Sequence, residues 1–166
     1  MQPLMRIIFA NILPDYHGIM VHGLGIRYAG EGIAFLGRGG SGKSTLAGFY
    51  KKEKKAEILS DEHIIIRKIN NKFFLYGTPW PGEGSRTCAQ KAELKRLFFI
   101  EHRGKNEVLG QAGLERFFPL LFISFWDKAR VKASLSLCKE ILHSLECKKL
   151  GFVNDSSIIN FLKNMN

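Results

Sequence analysis

Ile33-Ala34-Phe35-Leu36-Gly37-Arg38-Gly39-Gly40-Ser41-Gly42-Lys43-Ser44-Thr45 is the stretch around which the chain is organised. Ile33–Leu36 is a short apolar run of the kind that forms a buried strand. Gly37 to Ser44 then fits G-x-x-x-x-G-K-[ST], a phosphate-binding loop. Glycine lets the backbone turn tightly and bring its N–H groups close to phosphate oxygens. Ser44–Lys52 reads as a helix, so a bound anion would sit at its positive end. The spacing assigns Gly37, Arg38, Gly39, Gly40, Ser41, Gly42, Lys43, Ser44 and Thr45 to nucleotide binding. Lys43 would reach the β- and γ-phosphates, and the Ser44 hydroxyl would ligate Mg²⁺. Four fixed positions arise by chance in on the order of 1% of chains this long. Strand before and helix after make a nucleoside triphosphate site the better reading than an idle turn.

Working outward, Ile19–Leu24 reads as a strand that Gly25–Tyr28 continues, and Arg6–Asn11 as an earlier strand. Beyond the helix, Glu57–Ser60 is a short strand ending in Asp61-Glu62. His63–Ile69 and Phe73–Tyr76 form a hairpin about Asn70-Asn71. Gly77–Gly84 is a Pro/Gly loop containing Trp80, expected to anchor the loop by packing, the alternative being a rim for the nucleotide or the acceptor. Leu94–Glu101 is a further strand. From Gln111 through Phe125, and again from Lys128 to Leu145, the pattern is helical. Phe117, Phe118, Phe122, Phe125 and Trp126 therefore read as core. A final helix spans Ile158–Lys163, capped by Asp155 or Ser156. The fold class is α/β: one domain over residues 1–166, a mixed sheet, and helices mainly in the C-terminal third.

Phosphoryl transfer also needs a metal and a group that deprotonates the acceptor. Asp61 and Glu62, at a strand end close to the loop, can divide that labour: one accepts the proton, the other helps hold Mg²⁺. His22, on the strand before the loop, can hydrogen-bond phosphate or a carboxylate; a structural histidine is the equal alternative. His63 follows the acidic pair and, by strand alternation, points away from Glu62.

The formal charge of +10, from 25 Lys+Arg against 15 Asp+Glu, favours ATP or an acidic protein or peptide. Nucleic acid is the weakest partner, since no helix-turn-helix, RNA-recognition or zinc pattern accompanies the charge. No apolar run approaches the length of a membrane span. The start of the chain does not read as a secretory signal. Cys88, Cys138 and Cys147 lack metal-site spacing, which suits a reducing cytoplasm.

Together, His22-Gly23, Gly37–Ser44 and Asp61-Glu62 followed by a hairpin resemble the catalytic domain of HPr kinase/phosphorylase, of the PEP carboxykinase-like superfamily. That bacterial enzyme phosphorylates a serine on a small carrier protein. The resemblance implies an ATP- and Mg²⁺-dependent serine kinase with catalytic Asp61, Lys43 and His22. Asp61 would be the base, and Ser44 and Glu62 would attend the metal. Two departures stand out: the second acid is Glu62 where Asp is usual, and Glu93-Leu94-Lys95-Arg96 occupies the place of the family's Glu-Ile-Arg-Gly. The Gly-Thr-Pro-Trp-Pro-Gly loop is closer to short stand-alone relatives, some of which phosphorylate precursor peptides. The expected partner is thus an HPr-like carrier or a peptide, with a homo-oligomer implied by full-length relatives. The alternatives are a nucleotide-sensing module with slow hydrolysis and a small-metabolite kinase, for which no cluster of arginines is visible in the sequence.

Overall fold

The computed structural model describes residues 2–80 and 90–165. The Pro/Gly loop is described as far as Trp80; its remainder and Cys88 lie outside the described residues. The described chain is α/β, with nine strands in one mixed, largely antiparallel sheet. Its centre is β1 (Gly18–Tyr28), paired along one edge with β2 (Glu31–Leu36) and β8 (Leu121–Phe122). Along the other edge it meets β3 (Ala56–Ser60) and β4 (His63–Ile69). β4 turns through Asn70 and Asn71, at φ 49° and 62°, into β5 (Lys72–Tyr76). β5 pairs with β6 (Lys91–His102), and β6 runs parallel to β2. These pairings close a ring, β1-β2-β6-β5-β4, and β9 (Glu146–Phe152) and β7 (Glu107–Gln111) extend the sheet beyond β6.

Alternation along β1 decides where the layers lie. Ile19 and Val21 face a core completed by Leu36, Ile64, Leu75, Leu97 and Phe99. A Cβ on Gly23 would come within 2.5 Å of the Leu36 side chain and 3.1 Å of the Phe35 carbonyl, so a larger residue there would force Leu36 to shift. On the opposite face, Met20 is covered by α1 (Gln2–Ile12), in a cluster with Ala10, Leu13, Ile65 and Trp80. Leu24 and Ile26 are covered instead by α2 (Lys43–Tyr50) and α5 (Ser157–Lys163). His22 falls between these two covers, at a seam in the outer layer.

Three expectations are corrected. Arg6–Asn11 is helical, not a strand: Arg6, Phe9, Ala10 and Leu13 form the inward face at helical spacing, while Ile7, Ile8 and Ile12 stay exposed. The helical reading from Gln111 to Phe125 holds only for α3 (Leu114–Phe117). Pro119, which has no N–H to donate, lies in a 3₁₀ turn that leads into β8. Of the aromatic cluster Phe117 is buried, but Phe118, Phe125 and Trp126 are 50%, 65% and 73% exposed. The expected helix from Lys128 is α4 (Lys128–Ser144), N-capped by Asp127, whose carboxylate accepts from the Ala129 and Arg130 amides. β9 went unread because its alternation is broken by Lys148-Lys149. Helices therefore stand at both ends of the chain as well as behind the loop. No described helix is long and apolar enough to cross a membrane.

Candidate functional site

Both edges of β1 are interrupted around His22-Gly23, and those interruptions build the site. On one edge β2 ends where Gly23 pairs with Leu36, and pairing resumes with β8 at Val21. The loop Gly37–Gly42 leaves the sheet through this gap. On the other edge β3 ends opposite Gly25 and β4 begins where His22 pairs with His63. Asp61-Glu62 occupies that second gap. The Gly23 amide donates to the Glu62 carbonyl at 3.0 Å, and the His22 imidazole donates to the same carbonyl. The His-Gly pair thus grips the backbone of the acidic turn. The turn is held from behind as well: the buried Thr78 hydroxyl donates to the His63 carbonyl at 2.8 Å and lies 3.3 Å from the Ser60 hydroxyl.

Within the loop, Gly40 and Gly42 take φ of 76° and 97°, open to glycine at little cost. The Ser41 amide closes a turn on the Arg38 carbonyl at 3.1 Å. Lys43 is buried and curls back, donating to the Gly37 and Arg38 carbonyls at 2.7 and 2.8 Å. A Cβ on Gly37 would collide with the Ser41 hydroxyl, whereas one on Gly39 or Gly40 would meet nothing within 4 Å. The open side of the loop is the side an anion can approach. No side chain caps the start of α2, so its first amides face that same opening.

Two cavities meet over the loop and share Arg38, Gly39, Pro119 and Leu120. The larger, about 680 Å³, is bounded by Leu36, Phe99, Ile100 and the Glu115-Arg116 pair, with Arg116 bridged to Glu101. The smaller, about 520 Å³, is lined by Arg6, His22, Glu62, His63 and Phe122. Of the acidic pair it is Glu62 that lines this lobe. Asp61, 9% exposed at the end of β3, lines neither.

His63 does not point away from Glu62; its Nδ1 lies 3.6 Å from Glu62 Oε1. Alternation fails because Glu62 belongs to the bend between two strands, while His63 starts β4 and shares the outer face with Ile65. Its ring packs edge-on to Phe122 at 4.5 Å and lies 5.6 Å from His22. Arg6 was also missed, since only the helical form of α1 carries it over the seam, 3.6 Å from Glu62.

The electrostatics follow from burial among cations. Burial pushes Lys43 down to about 8, with Glu62 opposing. His63 falls to about 4 through burial, then the charges of Arg6, His22 and Lys43. His22 is lowered by burial and by Lys43. At neutral pH both imidazoles are uncharged, so each can donate one N–H and accept at the other nitrogen. The lobe holds one carboxylate beside Arg6 and Arg38, with buried Lys43 close enough for its charge to act on Glu62.

Ser44 is exposed at the first turn of α2 and lines neither lobe, whereas Glu62 lines the smaller one; each carries a hard oxygen of the kind Mg²⁺ accepts. Among the described residues no group of three His, Cys, Asp or Glu side chains is arranged to hold a metal ion by itself. A divalent ion there would take its other ligands from water and phosphate, as Mg²⁺ commonly does. No family model matches the chain, and no curated protein matches it either.

Proposed function

We propose that the chain is an ATP- and Mg²⁺-dependent kinase of the HPr kinase type, transferring the γ-phosphoryl group to a serine-type hydroxyl. One observation carries this reading: the loop gripped by Lys43 opens onto the same trough as Glu62, whose backbone is fixed by His22 and Gly23. Upon binding, Lys43 exchanges the loop carbonyls for phosphate oxygens, and the loop amides stabilise charge on the transferring group. Ser44 and Glu62 are the residues that would hold Mg²⁺, which would supply neutralisation of the phosphate charge. Asp61, next to Glu62, keeps the role of base that the resemblance implies. The bond between the γ-phosphorus and the bridging oxygen breaks, a bond to the acceptor oxygen forms, and the hydroxyl proton passes to the carboxylate. The reducing cytoplasm is part of the same proposal, and the free buried thiols of Cys138 and Cys147 suit it.

The experiment is transfer from γ-labelled ATP by the wild type, Asp61→Asn and Glu62→Gln, with ADP affinity measured alongside. Asp61→Asn should lower transfer by roughly 10²–10⁴-fold while ADP affinity changes little. Undiminished transfer would move the base to Glu62, and label released only to water would favour the sensing module. A second acceptor class, a small hydroxy compound, is favoured by Arg6 and Arg38 lining one compact lobe, the arginine pair that the linear sequence hides.

A further inference from the structure

We infer that the groove between α3 and α4 is a docking site for a short acidic segment of another polypeptide, one that carries a large apolar side chain among its carboxylates. The inference stands whether or not the chain is a kinase. The partly buried side chains of Leu114, Val131 and Leu135 line the groove, a cavity of about 530 Å³. Leu114 and Leu135 also pack against the buried cluster that holds Phe117 and Cys138, so this lining continues the core outward. Phe118 and Phe125 join it from the connection between the two helices. They are 50% and 65% exposed, with their rings edge-on and centroids 6.2 Å apart. Two neighbouring phenylalanines left in water are apolar surface that a partner's apolar side chain would cover with a gain in free energy.

Charge decides which apolar partner fits. Lys128, Lys132 and Lys139 complete the lining, and no carboxylate is part of it. Positions 128, 131, 132, 135 and 139 recur at helical spacing, which sets the lysines and the apolar residues on one face of α4. The nearby acids are engaged elsewhere: Asp127 caps α4 and pairs with Arg130, Glu140 pairs with Lys68, and Glu115 lines the larger lobe. Among the described residues none forms an ion pair with these three lysines. A second copy of this chain is a poor occupant, because each copy carries a formal charge of +10 and would bring cations to a cationic groove. A lipid surface is flat, whereas the apolar lining here is recessed between two helices. Lys128 and Lys139 lie about 16 Å apart along the helix axis, a span of about five extended residues. Phe118 directly precedes Pro119 and Leu120, which line both lobes, so a docked segment is held beside the candidate site.

The test is fluorescence polarisation with the whole chain and two labelled probes, at low ionic strength and without nucleotide. One probe is a short extended peptide of alternating Glu and Phe. The other is a helical peptide of about 12 residues with Leu along one face and Glu beside it. Expected is micromolar binding of at least one probe, weakened about tenfold or more when Gln replaces Glu and again when Ala replaces the apolar residues. Lys132→Glu and Phe125→Ala should each weaken it about tenfold, and Lys54→Glu, the same charge change beyond the end of α2, less than about threefold. A melting curve establishes that each variant is folded. Vesicles of phosphatidylserine and of phosphatidylcholine are titrated in parallel. Binding indifferent to the Gln replacement, equal losses in Lys132→Glu and Lys54→Glu, or no binding of either probe below about 1 mM overturns the inference. Tighter association with phosphatidylserine vesicles that Phe125→Ala abolishes also overturns it, and assigns the groove to a lipid surface instead. The kinase reading is untouched by any of these results, because no nucleotide is present.

Discussion

His63 shows how a single residue ties the site to stability. Its folded pKa is about 4, against about 6.5 for an unperturbed histidine. Between those values the unfolded chain binds a proton that the folded chain refuses. Stability is therefore full above about 6.5 and falls as pH drops toward 4. Chemical denaturation at pH 7 and pH 5 should show the wild type losing about 2 kcal/mol more than His63→Gln across that interval. Equal losses would mean that the ring is solvated in solution. Residue identity was readable here, but placement was not. Alternation misplaced His63 because the acidic pair interrupts the strand, and Arg6 looked like an isolated early charge until a helix set it over Glu62.

Among the elements, the glycine-rich loop Gly37–Gly42 was the most legible, because its glycines answer a local demand. Gly42 stands at φ 97°, and a Cβ there would come within 2.6 Å of the Phe152 ring. Gly42→Ala should cost roughly 1–3 kcal/mol from the backbone alone and weaken ADP binding tenfold or more in titration calorimetry. Gly48→Ala, inside α2 with nothing within 4 Å of the added methyl, should instead stabilise by about 0.5–1 kcal/mol. If both variants bind ADP alike, the loop does not hold the phosphates. The hairpin about Asn70-Asn71 was equally plain, since asparagine tolerates the left-handed backbone that the turn needs. α1 and β9 were not plain: Ile7-Ile8 mimics a strand, and β9 depends on β6 and β7 on either side more than on its own pattern.

For the molecule as a whole, Trp80 decides whether the outer cover stays on. It is 4% exposed, meets Phe9 edge-on at 5.4 Å, and packs with Ala10, Leu13, Met20 and Ile65. This packing agrees with the expectation that Trp80 acts as an anchor, and it joins the described start of the Pro/Gly loop to α1, which carries Arg6.

 Trp80→Ala should cost about 3–5 kcal/mol, a fall in melting temperature on the order of 10 °C for a chain of this size. Trp126→Ala, at a side chain 73% exposed, should change stability by less than about 0.5 kcal/mol. Similar melting curves for the two variants would show that α1 does not depend on this anchor.

Read as a string of residues, the chain already contained the glycine-rich loop between strand and helix, the acidic pair, the tight hairpin and the mixed α/β class. Each of these is set by chemistry within a few neighbouring positions: glycines where φ is positive, asparagines in a turn, apolar runs that become strands. Which side chains share a cavity was settled only by folding. That Glu62 and not Asp61 lines the smaller lobe, with Arg6 and His63 beside it, depends on how β3, β4, β2 and β8 divide the two edges of β1. Pairing between distant strands is non-local, and a one-residue change in register reverses every side chain it carries.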